Sequence, residues 1–156
     1  MKPDKIQKNL IDLLRNNLID PNSYRRSKQK NWIYSDFPKL TATMPRIAVQ
    51  MSDSPMTTLG ASTNAQYQDI RIDISILINR QHKYTVNGEE NTSPESTASY
   101  LSHQIMKNIL TKEEFKEKGL LQLRPINETK REPPKDNIML RQVELLGKNI
   151  RRFNEI

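Results

Sequence analysis

The chain has 156 residues and no cysteine, and 25 lysines and arginines against 18 aspartates and glutamates give it a formal net charge of +7. The absence of cysteine excludes disulfide scaffolds, cysteine-ligated zinc and a cysteine nucleophile. The length favours one domain over residues 1–156, and a hydrophobic content of 35% indicates a small core surrounded by long polar loops. Without an apolar run of about 18 residues or a signal sequence, we expect no membrane segment. The basic excess favours contact with nucleic acid or another acidic partner.

The N-terminal part predicts one helix followed by a basic segment. Residues 4–18 place isoleucine and leucine on one stripe at helical spacing, and Asp20-Pro21 ends the helix. Residues 22–30 are polar and basic, and Trp32 then begins a short strand or an anchored aromatic segment. The closely spaced cations of the basic segment are Arg25, Arg26, Lys28 and Lys30.

The central part predicts two strands separated by a long polar loop. Residues 46–51 form the shorter strand, and residues 67–79 form a long one in which isoleucine alternates with polar residues. The loops at 52–66 and 80–93 are polar, and loops of such length in compact domains are usually functional or disordered. The polar face of the long strand carries Asp69, Arg71 and Asp73.

The sequence just before the second helix predicts a turn and a helix cap. Asn87-Gly88 predicts a turn, because both residue types tolerate positive φ. Thr92 or Ser93 can accept a hydrogen bond from the first turn of a helix, and Pro94 suits its first position.

The C-terminal part predicts that helix and two further strands. The helix covers residues 94–111, strands cover 120–126 and 138–146, and residues 127–137 form a loop between them. The tail carries a second basic patch, Arg151 and Arg152. The predicted fold is therefore α+β, a mostly antiparallel sheet flanked by two helices in the order α-β-β-β-α-β-β with long inter-strand loops.

Candidates for catalysis are weak. Asp69 and Asp73 could bind Mg²⁺ as in a nuclease, but Arg71 between them favours an ion pair instead. The E-x-K pattern at residues 114–116 lies in a charged helical or turn segment, not on a core strand, and His82 and His103 lie in different elements. No nucleophile elbow or phosphate-binding loop occurs. We therefore expect no catalytic residues, no metal site, no cofactor and no enzymatic activity.

Several features occur together in one layout. The N-terminal helix ends in Leu-Ile-Asp-Pro, and a basic segment leads to Trp32 and a Phe-Pro step. Pro-Arg-Ile-Ala-Val-Gln-Met, a polar loop and a long strand ending in Ile-Leu-Ile-Asn-Arg follow, and then a helix and two strands. This layout resembles the tail terminator and neck (head–tail connector) proteins of long-tailed bacteriophages and related archaeal viruses. The resemblance covers most of the chain and rests on a pattern of elements.

The resemblance implies a structural virion protein that assembles in the host cytoplasm. As a tail terminator, it would form a homo-hexameric ring that joins the tail tube to the head connector and lets DNA pass through its lumen without sequence readout. A head-completion adaptor or a tube subunit remains an alternative ring. The loops at 52–66 and 80–93 would reach neighbouring subunits. The basic residues would face DNA or partner proteins, and Asp69, Arg71 and Asp73 would face the lumen or a neighbouring subunit.

The alternative is a small basic nucleic-acid-binding protein that uses residues 24–32. In that case Arg25 and its neighbouring cations would bind phosphates, and Trp32 would stack on bases. A Trp32 anchored in the core would instead indicate an ordinary solvated loop.

Overall fold

The structure, a computed structural model, describes residues 3–28, 31–36, 43–53, 57–58, 65–111, 120–131 and 137–152. The α+β class with a mostly antiparallel sheet is confirmed. The described helices are α1 (Pro3–Asn17), α2 (Ser23–Ser27) and α3 (Pro94–Leu110). The described strands are β1 (Ile33–Tyr34), β2 (Arg46–Asp53), β3 (Thr57–Thr58), β4 (Ala65–Asn79), β5 (Tyr84–Val86), β6 (Glu89–Thr92), β7 (Leu120–Arg131) and β8 (Ile138–Arg152).

The main sheet is built around β4. Its strand order is β1-β2-β4-β8-β7, with β3 also beside β4, and all pairs are antiparallel except β1 with β2. Along its full length β4 pairs with β8, from Ala65 opposite Arg152 to Asn79 opposite Ile138. The long alternating stretch predicted from the sequence is therefore a central strand with neighbours on both sides.

One face of β4 forms the core of the molecule. Its isoleucines are fully buried, and they share one cluster with the apolar stripes of α1 and α3. Complete burial of each such side chain stabilises the fold by roughly 1.5–3 kcal/mol, so this face dominates the packing. The β4 members are Ile70, Ile72, Ile74, Ile76 and Ile78, and the helical members include Ile6, Leu10, Leu14, Leu101 and Ile105.

Helix α3 begins as its sequence predicts. The Ser93 side chain accepts a hydrogen bond from the Ser96 N–H at 3.3 Å, and Pro94 occupies the first turn, where no N–H partner is needed. Thr97 donates its hydroxyl to the Ser93 carbonyl at 2.8 Å, which fixes the same turn from inside. The cap directs the buried side of α3 towards β4.

The predicted polar loop at 80–93 contains a hairpin. β5 and β6 pair with each other in a separate two-stranded sheet, and the predicted turn at Asn87-Gly88 is confirmed by φ values of 52° and 81°. Tyr84 and Val86 are buried in the main core. Three alternating residues are too short a run to indicate a strand, which is why the loop prediction was wrong here.

The C-terminal strands are longer than predicted. β7 continues to Arg131, so the predicted loop at 127–137 was wrong over its first part, and Arg151 and Arg152 belong to β8 and not to a tail. The polar sequence hides these extensions, because the chain there pairs with β4 and β8 without needing an apolar face. Strand pairing also reaches into the predicted loop at 52–66, through β3 and the start of β4.

Candidate functional site

The second face of the main sheet carries polar and charged side chains, and we call it the polar face. Cross-strand partners share a face, so the register brings the alternate residues of β2, β4 and β8 together on the side away from α1 and α3. Most of its members are exposed or half-buried. Its polar members include Arg46, Gln50, Ser52, Asp69, Arg71, Asp73, Ser75, Gln142, Glu144 and Lys148. At one end of this face Leu77 and Ile138 form a small buried apolar cluster with Met44.

An ion-pair network organises the polar face. Asp73 and Glu144 lie directly opposite each other on β4 and β8, an arrangement that is destabilising for like charges. The Arg71 guanidinium bridges them, with its Nε 3.1 Å from an Asp73 carboxylate oxygen and its Nη2 2.9 Å from Glu144 Oε1. The hydrogen bond and charge of Asp73, followed by the charge of Glu144, raise the pKa of Arg71. The ion pair expected from the sequence is therefore present and includes a third partner.

This network disfavours a metal site on β4. Arg71 supplies the positive charge that a cation would otherwise bring to Asp73, and Asp69 lies in register with Lys148 of β8. In the described part of the chain, no group of three or more histidines or carboxylates is placed to hold a metal ion. The E-x-K pattern at 114–116 lies outside the described residues.

Arg25 does not face a partner, which corrects the expectation that it is a candidate DNA-facing residue. It is buried, with its Nε 2.6 Å and its Nη2 2.9 Å from the two Asp20 carboxylate oxygens. It also donates to the Thr43 carbonyl at 2.7 Å and to the Pro45 carbonyl. Its guanidinium lies 5.7 Å from the ring centroid of buried Trp32. We call Asp20, Arg25 and Trp32 the Asp20–Arg25 cluster.

Local geometry explains why Arg25 turns inward. The Asn22 side chain accepts from the Arg25 N–H at 3.1 Å and begins α2, while Asp20 accepts from the Asn22 N–H at 3.0 Å. These two short-range bonds reverse the chain so that Asp20 and Arg25, five residues apart, face each other. Nothing in the run of cations distinguishes Arg25 from its neighbours, so the sequence could not show that one of them is internal.

The other predicted cations lie in different places. Arg26 and Lys28 are exposed at α2 and just after it. Lys30 lies outside the described residues. Arg151 and Arg152 are the register partners of Gln66 and Ala65 on β4, and only their backbone is described. Arg25 donates to the Pro45 carbonyl beside the Leu77 end of β4, whereas Arg151 and Arg152 pair with its opposite end, so the structure does not bring the two predicted basic patches together.

A second arginine cluster was missed by the sequence analysis. The Arg46 guanidinium lies 4.4 Å and that of Arg15 lies 5.3 Å from the ring centroid of Tyr34. Arg15 donates through Nε and Nη2 to the Ile33 carbonyl at 3.0 and 2.6 Å. Arg46 Nε is buried and has no hydrogen-bond partner among the described residues. We call Arg15, Tyr34 and Arg46 the Arg–Tyr–Arg cluster; its members come from α1, β1 and β2, and no sequence motif connects them.

The main sheet ends at β7. Among the described strands, β7 pairs only with β8, so the other edge of its 12 residues has no strand beside it. Backbone groups along such an edge are a template for pairing with another chain, and in β7 Pro125 and two register irregularities interrupt that edge near its start.

No protein-family model matches the chain, and no curated protein matches it either. Of the helices in the described ranges, none has the length and apolar character that crossing a membrane requires.

Proposed function

We propose that this protein is a structural virion protein of the phage neck, a tail terminator that forms a hexameric ring between the tail tube and the head connector. The observation that carries the proposal is the form of the main sheet. Its helices pack on one face, its polar face carries a fixed charge network, and its β7 edge has no strand partner among the described residues. A sheet of this form is suited to building a wall with other copies.

The open edge supports assembly on physical grounds. Natural proteins cover, shorten or charge their sheet edges, because a long free edge otherwise pairs with whatever chain it meets. Association between two different surfaces of identical subunits gives a closed ring when the rotation between neighbours closes. The proposed ring would give the β7 edge and the polar face defined neighbours.

The charge of the polar face is compatible with a DNA channel. Its described side chains include three carboxylates, Asp69, Asp73 and Glu144, and three cations, Arg46, Arg71 and Lys148, so these charges balance. DNA carries one negative charge per about 1.7 Å of its axis, so a face without excess positive charge would let DNA pass without holding it. In this proposal the partners are the tail-tube and head-connector proteins, and the protein resides in the virion after assembly in the host cytoplasm.

The nucleic-acid-binding alternative loses support at the segment on which it depends. Arg25 and Trp32 are both buried in the Asp20–Arg25 cluster and offer neither a phosphate contact nor a stacking platform. Among the described cations of this segment, Arg26 and Lys28 are exposed, and two cations alone bind DNA only weakly at physiological salt.

Mass photometry and negative-stain microscopy of the purified full chain test the proposal. We expect ring-shaped particles of about 109 kDa, which is six copies of the 18.2 kDa chain, and binding of these particles to tail tubes. A protein that stays monomeric at every concentration and binds DNA with a steep salt dependence would contradict it.

A further inference from the structure

The Arg–Tyr–Arg cluster contains an unsatisfied donor. Arg46 Nε is buried and has no acceptor among the described residues, although buried N–H groups in native proteins are almost always paired. A buried donor without an acceptor is unfavourable, and the cost is greater when the group is charged. The Arg46 residue as a whole is only half-buried, so an anion from outside the described part of the chain can approach its side chain and balance the charge that this N–H leaves unpaired.

The charge of the same cluster is unbalanced. Two guanidinium groups lie on one Tyr34 ring, at 4.4 and 5.3 Å from its centroid. The ring attracts each cation but does not neutralise either. Among the described residues neither arginine forms an ion pair, whereas Arg25 and Arg71 both do. An anion beside Tyr34 would be attracted by both charges.

The geometry favours a single carboxylate over a nucleic-acid backbone. Arg15 and Arg46 both contact the Tyr34 ring, and two N–H groups of Arg15 already donate to the Ile33 carbonyl. Phosphate recognition along DNA needs a row of exposed cations, each neutralising a separate phosphate. A guanidinium with free donors instead matches one carboxylate in a two-point contact.

The β5–β6 hairpin carries suitable carboxylates. Glu89 and Glu90 follow its turn, both are exposed, and neither forms an ion pair among the described residues. Asn87, Gly88 and Asn91 adopt positive φ, which fixes the shape of the tip.

The base of the hairpin is anchored. Tyr84 and Val86 are buried in the core, and Thr85 N–H donates to the Pro21 carbonyl at 3.0 Å. The acidic pair is thus held on a short, anchored hairpin, so that less conformational entropy is lost when it binds.

We propose that Glu89 and Glu90 of one copy bind the Arg–Tyr–Arg cluster of the next copy. The tip and the cluster are different surfaces, so the contact is head-to-tail and repeats around a ring. This inference rests on the proposed ring function, which it deepens by naming the residues that join neighbours. It gives the Arg46 side chain, which forms no ion pair among the described residues, carboxylates from a second copy.

Charge reversal tests the contact. E89K/E90K and R46E should each raise the protein concentration needed for half-maximal assembly at least tenfold, and the triple variant, with the charges exchanged, should recover assembly. D12K on α1 and K107E on α3 make similar charge changes at exposed positions and should assemble as the unmodified protein does. Because R46E could disturb folding, R46M is measured beside it, and thermal unfolding identifies a folded variant. Unchanged assembly of folded E89K/E90K and R46M would overturn the contact.

Cross-linking distinguishes failure of the contact from failure of the ring. The chain has no cysteine, so T92C on β6 and S35C beside Tyr34 each introduce a single thiol next to the contact and keep Glu89, Glu90 and Arg46 in place. A mixture of tagged T92C and untagged S35C, treated with a short bismaleimide, should give a mixed dimer that excess unmodified protein suppresses.

Each outcome of the two experiments has a separate reading. Rings that form while no mixed cross-link appears overturn the contact and keep the proposed function. Cross-linked, charge-dependent dimers or open chains without rings keep the contact and contradict the hexameric ring. If R46E lowers DNA affinity and leaves self-assembly unchanged, the cluster is a phosphate site and the inference is wrong.

Discussion

Two regions of this molecule place an arginine against an aromatic ring, and they differ in where the charge is satisfied. In the Asp20–Arg25 cluster, the guanidinium over Trp32 also meets a carboxylate and two backbone carbonyls. In the Arg–Tyr–Arg cluster, Arg46 lies over Tyr34 with a buried N–H that has no acceptor among the described residues. The contact of an arginine with an aromatic ring therefore does not by itself show what the arginine does. The hydrogen-bond acceptors around the arginine show its role, because they determine whether its charge is paired within the fold or available to bind a partner.

The largest loss of stability is expected from disrupting the Asp20–Arg25 cluster. Asp20→Ala leaves Arg25 buried without its carboxylate, and loss of one partner of a buried ion pair costs about 3–5 kcal/mol. Urea denaturation monitored by Trp32 fluorescence measures the free energy of unfolding. Asp12→Ala, at an exposed position on α1, is the matched control and should change it by less than about 0.5 kcal/mol. Similar values for the two variants would mean that the ion pair does not stabilise the fold.

The next largest loss of stability is expected at Tyr84, which lies near the Asp20–Arg25 cluster. Its hydroxyl accepts from the Asn79 N–H at 3.1 Å and lies 3.3 Å from the Asn79 carbonyl, to which it donates. Tyr84→Phe leaves a part-buried N–H without this acceptor, and we expect a loss of about 1–2 kcal/mol at pH 7.

The same substitution gives a pH test with a defined sign. Burial, as the main cause, raises the pKa of Tyr84 above its ordinary value of 10.0. The unfolded chain therefore loses this proton at lower pH than the folded one, so stability present below pH 10 falls as the pH rises through the folded pKa. The difference in unfolding free energy between the unmodified protein and Tyr84→Phe should narrow from pH 9 to pH 11. A difference that stays constant or widens would contradict the burial of the phenol.

A smaller loss of stability is expected at Arg71, whose ion-pair partners Asp73 and Glu144 lie on the polar face. Arg71→Ala leaves Asp73 and buried Glu144 opposite each other without a bridging cation. The urea midpoint should fall, by less than for Asp20→Ala, because the guanidinium is exposed and screened by water. Arg71→Lys should recover part of the loss, and Arg71→Ala/Asp73→Asn should recover more. No recovery in the double variant would show that like-charge repulsion is not the cause.

The smallest change in stability is expected at the Arg–Tyr–Arg cluster. Arg46→Met keeps an apolar stem of similar length and removes the buried N–H without an acceptor, so the free energy of unfolding of the monomer should change by less than about 1 kcal/mol. The variant should nevertheless lose assembly. A loss of stability comparable to that of Asp20→Ala would show that Arg46 has an acceptor within its own chain, and the contrast between the two clusters would be wrong.

The elements that could be predicted are those in which periodicity carries the information. The alternating isoleucines of β4 require one buried face whatever covers it, and the apolar stripe of α1 and the capped start of α3 are equally local signals. The predicted ion pair between Arg71 and Asp73 is also local, since residues two apart on a strand share a face.

The candidate site was less predictable, because its contacts join distant parts of the chain. Glu144 completes the Arg71 network from β8, and the Arg–Tyr–Arg cluster combines α1, β1 and β2. The hairpin inside the predicted loop at 80–93 is similarly decided by the burial of Tyr84 and Val86 against the core.

The α+β class, the central strand and the two long helices follow from spacing along the chain, because the spacing of apolar residues fixes which faces can be buried. The role of each charged residue depends instead on what the folded chain places beside it. Arg25 and Arg46 look alike in the sequence, and they differ because one meets a carboxylate after the chain reverses and the other lies where the described residues offer none. Electrostatic partners are set by proximity in space, and sequence spacing predicts that only within a single helix, strand or turn.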